Sequence, residues 1–355
     1  MSMPEGGDPY TIAWDAENEC ILYIDQTLLP GRYEQMRCAT VDDLARAIRR
    51  LEIRGAPALG IAGAMGVALA AVRSRETDLK RFSGEVGRAG DLLAGTRPTA
   101  VNLAWGIDRV LRKIALAASV AEAKSMAVAE ANAVAEEDEL ICRRLGGFGE
   151  ELFPERCTVL THCNAGALAC RCWGTALGTI RSAIAAGKDV RVIACETRPL
   201  NQGSRLTCWE LARDGVDVTL IPDSSAAYLM RKGMIDLVVV GADRITGDAV
   251  FNKIGTYMHA VAAHHHRIPF YVAAPVSTFD LSRRETDITV EERDRSELTY
   301  CGDKRLAPES VNVLNYAFDA TPLDLVDAIV TEIGVLRPPY TESFRLVGID
   351  GETRP

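Results

Sequence analysis

From Phe153-Pro154 onward, short runs of nearly unbroken apolar residues alternate with segments of helical period, and few folds accept that pattern. The runs TVLTHC, VRVIACET, VDVTLIPD, IDLVVVGAD and PFYVAAP are separated by ALACRCWGTALGTIRSAIAAG, RLTCWELARDG, AAYLMRKG and KIGTYMHAVAAHHH. A strand with one face in water alternates apolar and polar residues. Strands apolar throughout are covered on both faces, as happens when helical crossovers return the chain to a parallel sheet. The pattern therefore predicts an α/β chain whose C-terminal part is a doubly wound, Rossmann-like parallel sheet. Ligands bind such sheets beyond the carboxyl ends of the strands. Cys163, Glu196-Thr197-Arg198, Asp223 and Asp243-Arg244 fall there. No G-x-G-x-x-G or G-x-x-x-x-G-K-[ST] is present, so neither a dinucleotide nor a P-loop nucleotide is indicated.

The chain before this region reads differently. Residues 10–37 hold short alternating runs such as ILYIDQ, broken by Asp-Ala-Glu-Asn and Leu-Pro-Gly-Arg, which predict a small antiparallel sheet. From Thr40 the period turns helical: Thr40 can cap, Asp42 and Asp43 suit a first turn, and Leu44, Ala47, Ile48 and Leu51 make one apolar stripe. IRGAPALGIAGAMGVALA is so rich in Gly and Ala that its backbone must pack closely against something. Three further helical segments follow, up to the glycines of RRLGGFG. Two turns, Arg54-Gly55-Ala56-Pro57 and Thr96-Arg97-Pro98-Thr99, each present an arginine, which in a loop is either solvated surface or a ligand contact. A chain of 355 residues is long enough for two domains. The change of pattern puts them at residues 1–150, a small sheet with helices, and 151–355, the Rossmann-like α/β domain, where the candidate site residues at the strand ends would make it the catalytic one.

Composition narrows the function classes. A net charge of −9 argues against a broad nucleic-acid surface, while leaving room for a local basic pocket that takes a phosphorylated small molecule. No apolar run approaches the roughly 20 residues of a membrane span, and MSMPEGGDPY lacks a signal pattern, so a cytoplasmic protein without membrane partners is expected. The ten cysteines then read as reduced thiols. Cys170 and Cys172 form a CxC inside a predicted helix, where residues two apart diverge, and His264-His265-His266 read as a helix C-terminus, so no metal site is expected at either.

Two residues stand out as candidates. TVLTHC delivers Cys163 from a buried strand to a turn, with a helix start expected immediately behind it, where a thiol would be acidified. The alternative is a small hydrophobe at a strand end. Asp243 leaves LVVVGAD into a semi-enclosed cleft, where desolvation would raise its pKa as a general acid requires; capping a helix or pairing with Arg244 is the other reading. Asn252-Lys253-Ile254-Gly255-Thr256 offers an amide, a cation and a turn glycine suited to hydroxyl and phosphate oxygens, or equally a cap and a surface lysine.

IRGAPALGIA, TRPTAVNLAW, LTHCNAGALA, ETRPLNQGSRLT, DLVVVGADRI and NKIGTYMHAV, in that order, resemble the successive motifs of the methylthioribose-1-phosphate isomerases. The likeness runs from about Tyr10 to Val335. The wider superfamily includes ribose-1,5-bisphosphate and 5-deoxyribose-1-phosphate isomerases, and regulatory subunits of a eukaryotic translation-initiation exchange factor. That non-catalytic branch typically lacks the Cys and Asp pair, which this chain keeps. The resemblance implies Cys163 and Asp243 as catalytic residues, with Arg54, Gly55, Ala56, Arg97, Gln202, Asn252 and Lys253 contacting substrate. It also implies a homodimer, no metal or nucleotide cofactor, and conversion of an aldose 1-phosphate to a ketose 1-phosphate in methionine salvage. Phosphate on the anomeric oxygen blocks spontaneous ring opening, so Asp243 is expected to protonate the ring oxygen and Cys163 to act at C1 and C2. Arginines and a lysine drawn from both domains imply a cleft that closes on substrate. RITGDAVF, about one residue shorter than the family's usual loop, and Tyr316, where the family usually has proline, are the two departures.

Overall fold

The computed structural model describes residues 10–346. The chain divides into two compact units. One runs to Arg143 and includes Gly166–Gly174; the other comprises Arg144–Ala165 and the chain from Thr175.

In the first unit, β1 (Ile12–Asp15), β2 (Cys20–Ile24) and β3 (Gln35–Cys38) form an antiparallel meander. The Asp15 carboxylate shapes its first turn by accepting the Glu17 and Asn18 amides at 3.0 and 3.1 Å. Helix α1 (Val41–Arg49) is capped as expected, Thr40 Oγ1 accepting from the Asp43 amide at 3.1 Å. Then come α2 (Ala56–Arg73), α3 (Leu79–Ala94), α4 (Val101–Ile114) and α5 (Val120–Glu150), the division between the units falling within α5. The Gly and Ala of α2 do what their density predicts: a Cβ on Gly106 of α4 would lie 2.0 Å from the Gly60 carbonyl oxygen, so the two backbones touch. One expectation needs correction here. The 18 residues of α2 have the length and hydropathy of a membrane span, yet 78% of them are buried. An apolar helix enclosed by neighbours in its own unit passes the same test as a span.

The second unit is built on a seven-stranded sheet. Its strands are β4 (Arg156–Thr161), β5 (Asp189–Cys195), β6 (Val218–Ile221), β7 (Leu237–Val240), β10 (Phe270–Ala273), β15 (Ala328–Thr331) and β16 (Gly334–Leu336), in the order β16-β15-β10-β7-β4-β5-β6. All neighbours are parallel except β15 and β16. Helices α6 (Ala176–Ala185), α7 (Cys208–Arg213), α8 (Ala226–Arg231) and α9 (Thr256–His266) are crossovers. All four residues of β7, Leu237–Val240, are buried, as an apolar-throughout run requires. A second sheet carries β8 (Arg244–Thr246), β9 (Ala249–Lys253), β11 (Phe279–Asp280) and β14 (Phe318–Pro322), in the order β11-β8-β9-β14; β12 (Tyr300–Cys301) and β13 (Lys304–Arg305) pair as a ribbon. RITGDAVF, expected as a loop, is thus the β8–β9 hairpin.

The helix expected directly behind Cys163 is absent. Ala167–Ala169 form a single 3₁₀ turn and α6 begins only at Ala176. The intervening segment belongs to the first unit, where Thr11 Oγ1 donates to the Ala167 carbonyl at 2.8 Å and Gln26 Nε2 to that of Leu168 at 2.7 Å. Those carbonyls would otherwise serve a helix. Cys170 and Cys172 are therefore not helical; Cys170 lies buried beside Cys142 and Asp138.

Candidate active site

Cys163 follows β4 and Asp243 follows β7, and these strands are neighbours. From β4 the chain winds outward through β5 and β6, then restarts at β7 and winds the other way through β10 and β15. Such a reversal opens the crevice in which doubly wound sheets bind ligands.

Cys163 sits in the left-handed region, at φ 64. For a residue with a Cβ this costs on the order of 1–3 kcal/mol and persists only where surroundings enforce it. Two threonines do so. The Cys163 amide donates to Thr197 Oγ1 at 2.9 Å, and its carbonyl accepts from Thr207 Oγ1 at 2.6 Å. Each threonine is itself held. Thr197, at φ 66, donates its amide to Asp223 Oδ1 at 2.7 Å. Thr207 ends a π-helical turn, Gly203–Thr207, of the kind that recurs at functional sites. That turn needs glycine at its start, because a Cβ on Gly203 would lie 1.7 Å from the Cys195 carbonyl oxygen. Asn164 Nδ2 reaches both Thr207 Oγ1, at 3.2 Å, and Glu210 Oε1, at 2.5 Å. Glu210 in turn accepts from the buried Arg181 guanidinium at 2.8 Å. A satisfied buried chain of this sort rigidifies what it touches.

Asp243 is tied to the second sheet by its amide, which donates to the Phe251 carbonyl at 2.9 Å, while Arg244 Nη1 donates to Asp280 at 3.1 Å. Lys253, at the end of β9, is buried rather than a surface lysine. Burial pushes its ammonium down from the ordinary lysine range, and the neighbouring Cys163 and Asp243 act in the opposite direction. The thiol, the carboxylate and the ammonium thus lie within electrostatic reach of one another. Asn252 Nδ2 donates to Thr256 Oγ1 at 3.0 Å. Gln202 is buried, and among the described residues neither its Oε1 nor the neighbouring Asn201 Oδ1 meets a hydrogen-bond donor.

The remaining expected residues belong to the first unit. Gly55 (φ 95) caps α2, and a Cβ there would fall 2.6 Å from Ala169, so only glycine lets Arg54-Gly55-Ala56 open the helix this way. Arg54 Nε donates to Gln26 Oε1 at 2.9 Å. Arg97 lies in the turn before α4, its carbonyl accepting the Ala100 amide at 3.0 Å. The second unit holds Cys163 and Asp243 beyond neighbouring strands of its large sheet, Asn252 and Lys253 in β9 of its smaller sheet and Gln202 before the π-helical turn; Arg54, Gly55, Ala56 and Arg97 belong to the other unit.

A family model described as the initiation factor 2 subunit family matches residues 52–338, most of the chain. The chain belongs to that family. A family member from Heliobacterium modesticaldum, named methylthioribose-1-phosphate isomerase, is 52% identical over 340 residues, spanning 94% of this chain and 98% of its own. A protein from Moorella thermoacetica named 5-deoxyribose 1-phosphate isomerase is 50% identical over 335 residues, 93% of this chain and 95% of its own. The crystal structure of 5-methylthioribose 1-phosphate isomerase from Pyrococcus horikoshii superposes with a TM-score of 0.90 at 38% identity, covering 96% of each chain.

Thr207, Glu210 and Arg181 were not legible as site residues. Nothing in LTHCNAG signals that Cys163 takes φ 64, so nothing signals the groups that hold it there.

Proposed function

We propose that the chain is an intramolecular aldose–ketose isomerase that converts 5-methylthioribose 1-phosphate to 5-methylthioribulose 1-phosphate in methionine salvage, with Cys163 and Asp243 as its catalytic pair. The observation that carries this reading is the placement of Cys163 and Asp243 beyond the neighbouring strands β4 and β7, where the strand order reverses, with the buried Lys253 ammonium in electrostatic reach of both. The names of the Heliobacterium and Pyrococcus relatives support the substrate.

In this reading Asp243 enters protonated and gives its proton to the ring oxygen as the C1–O bond breaks. The hydrogen on C2 moves to C1 under the Cys163 thiol, and the C2 hydroxyl proton returns to Asp243 as the ketone forms. The pair ends as it began, so no cofactor is consumed. Lys253 is a charge-assisted donor suited to the phosphate, and the family resemblance adds Arg54, Gly55, Ala56 and Arg97 as substrate contacts. Gln202 and Asn252 meet the sugar hydroxyls, and the unsatisfied Gln202 Oε1 is an acceptor waiting for such a donor.

The Moorella relative favours a second substrate, 5-deoxyribose 1-phosphate, which lacks only the thioether. Incubating the protein with 5-methylthioribose 1-phosphate, 5-deoxyribose 1-phosphate and ribose 1,5-bisphosphate, and following ketose formation by NMR, separates these. Fastest turnover of the first supports the proposal; turnover of none would make the chain a binding or regulatory subunit. A homodimer is part of the same proposal. Tyr257, Met258 and Val261 expose one apolar side of α9, and Tyr228 of α8 is exposed as well. A patch of that kind suits a second copy of this chain. Ten cysteines read as reduced thiols suit a reducing cytoplasm.

A further inference from the structure

Beneath the candidate site lies a group of side chains that the isomerisation does not use. His162 just beyond β4, Cys195 at the end of β5, Asp223 just beyond β6 and His259 within α9 each offer one donor atom, and all four donors lie within 4.8 Å of one another. We propose that these four residues form a structural binding site for a divalent transition ion, Zn²⁺ being the best fit.

Four observations carry it. The spacing is near that of a site: bond lengths of about 2.0–2.3 Å to nitrogen, oxygen and sulfur in a tetrahedron put donors roughly 3.3–3.8 Å apart, and these four lie within 4.8 Å before an ion draws them in. His162 Nδ1 is 3.2 Å from His259 Nε2 and 3.8 Å from Asp223 Oδ1. The tautomer is fixed from outside, since His162 Nε2 lies 2.8 Å from the Ile254 carbonyl, which leaves Nδ1 as the ligating nitrogen. Asp223 is likewise oriented by the amides of Thr197 and Arg198, at 2.7 and 2.8 Å. The charge balances: one thiolate and one carboxylate neutralise a dication, so the closed site buries no net charge. The site is enclosed: both histidines are 1% exposed, so an ion held there is screened from water.

The ion displaces the Cys195 thiol proton on binding, which leaves to solvent, and the hydrogen bond between the two imidazoles gives way to two metal–nitrogen bonds. With four protein ligands no coordination position stays open, so the site is structural and takes no part in the sugar chemistry. It pins three strand ends and α9 together directly behind Cys163. The inference does not depend on the isomerase reading.

The test uses the full chain, stripped with a chelator and titrated with Zn²⁺ or Co²⁺. The proposal predicts one ion per chain by elemental analysis, with Co²⁺ giving tetrahedral visible bands and a thiolate charge-transfer band. Cys195→Ser should lose the charge-transfer band. His259→Leu should weaken binding by more than the 10–100-fold that losing an outer-shell partner typically costs, with its fold checked by circular dichroism should Cys195→Ser not fold. Failure to bind near one equivalent would overturn the proposal. So would binding unchanged in the variants, which would move the ion to Asp138, Cys142 and Cys170 or to His264–His266.

Discussion

Replacing Thr207 by valine keeps the shape of the side chain and removes only its hydroxyl, which takes away one of the two clamps on Cys163 and leaves Asn164 Nδ2 its shorter hydrogen bond to Glu210. The strain at Cys163 is about 1–3 kcal/mol, and the hydrogen bonds from Thr207 to its carbonyl and from its amide to Thr197 are what oppose it. A hydrogen bond of this kind contributes about 1 kcal/mol net, and stranding a buried acceptor costs about 1–3 kcal/mol. Thr207→Val should therefore destabilise the fold by about 1–3 kcal/mol in urea titration. Losing about 1 kcal/mol from the balance at Cys163 should also lower the population of the competent conformer, and kcat with it, by about fivefold to tenfold, with KM little changed. Thr331→Val is the control, since Thr331 Oγ1 donates at 2.9 Å to the Gly334 carbonyl, away from the site. It should lose similar stability and keep its kcat. Equal kcat in both variants would refute the idea that Thr207 holds Cys163 for chemistry.

Other perturbations follow the same logic. Burial raises the pKa of Asp319 to about 6, although its carboxylate accepts the Gly255 and Tyr257 amides. The folded protein then holds that proton more tightly than the unfolded chain, whose aspartate titrates near about 3.9, so stability falls as pH rises from about 4 to about 6. Relative to Asp319→Asn, the wild type should lose about 3 kcal/mol across that window, read as urea midpoints at pH 4 and 7; a difference independent of pH would contradict the shift. Gly106→Ala forces a methyl into the Gly60 carbonyl and should cost about 3 kcal/mol or more. Gly147→Ala, in open space on α5, should stabilise by about 0.5–1 kcal/mol; thermal melts compare the two.

Strand-forming runs were legible because a doubly covered sheet leaves an unmistakable trace, as in Leu237–Val240, and that alone put Cys163 and Asp243 at strand ends. The segment after Cys163 was not. Its Ala, Leu and Arg favour helix locally, but the carbonyls of Ala167 and Leu168 are claimed by Thr11 and Gln26, residues about 150 positions earlier, and long-range partners override propensity. Lys253 read as equally a surface lysine because burial by β14 and Phe318, whose ring lies 4.8 Å from Nζ, is decided far along the chain. The donor cluster around His162 escaped notice for the same reason: its members are spread from residue 162 to 259 and carry no spacing that a motif could capture.

The central claim is that Cys163 and Asp243 together perform the isomerisation. The direct measurement is ketose formation from 5-methylthioribose 1-phosphate, followed by NMR, for the wild type and for Cys163→Ser and Asp243→Asn, each first shown to be folded. The account predicts turnover by the wild type and a loss of about a thousandfold or more in each variant. Near-normal turnover by either folded variant would contradict it.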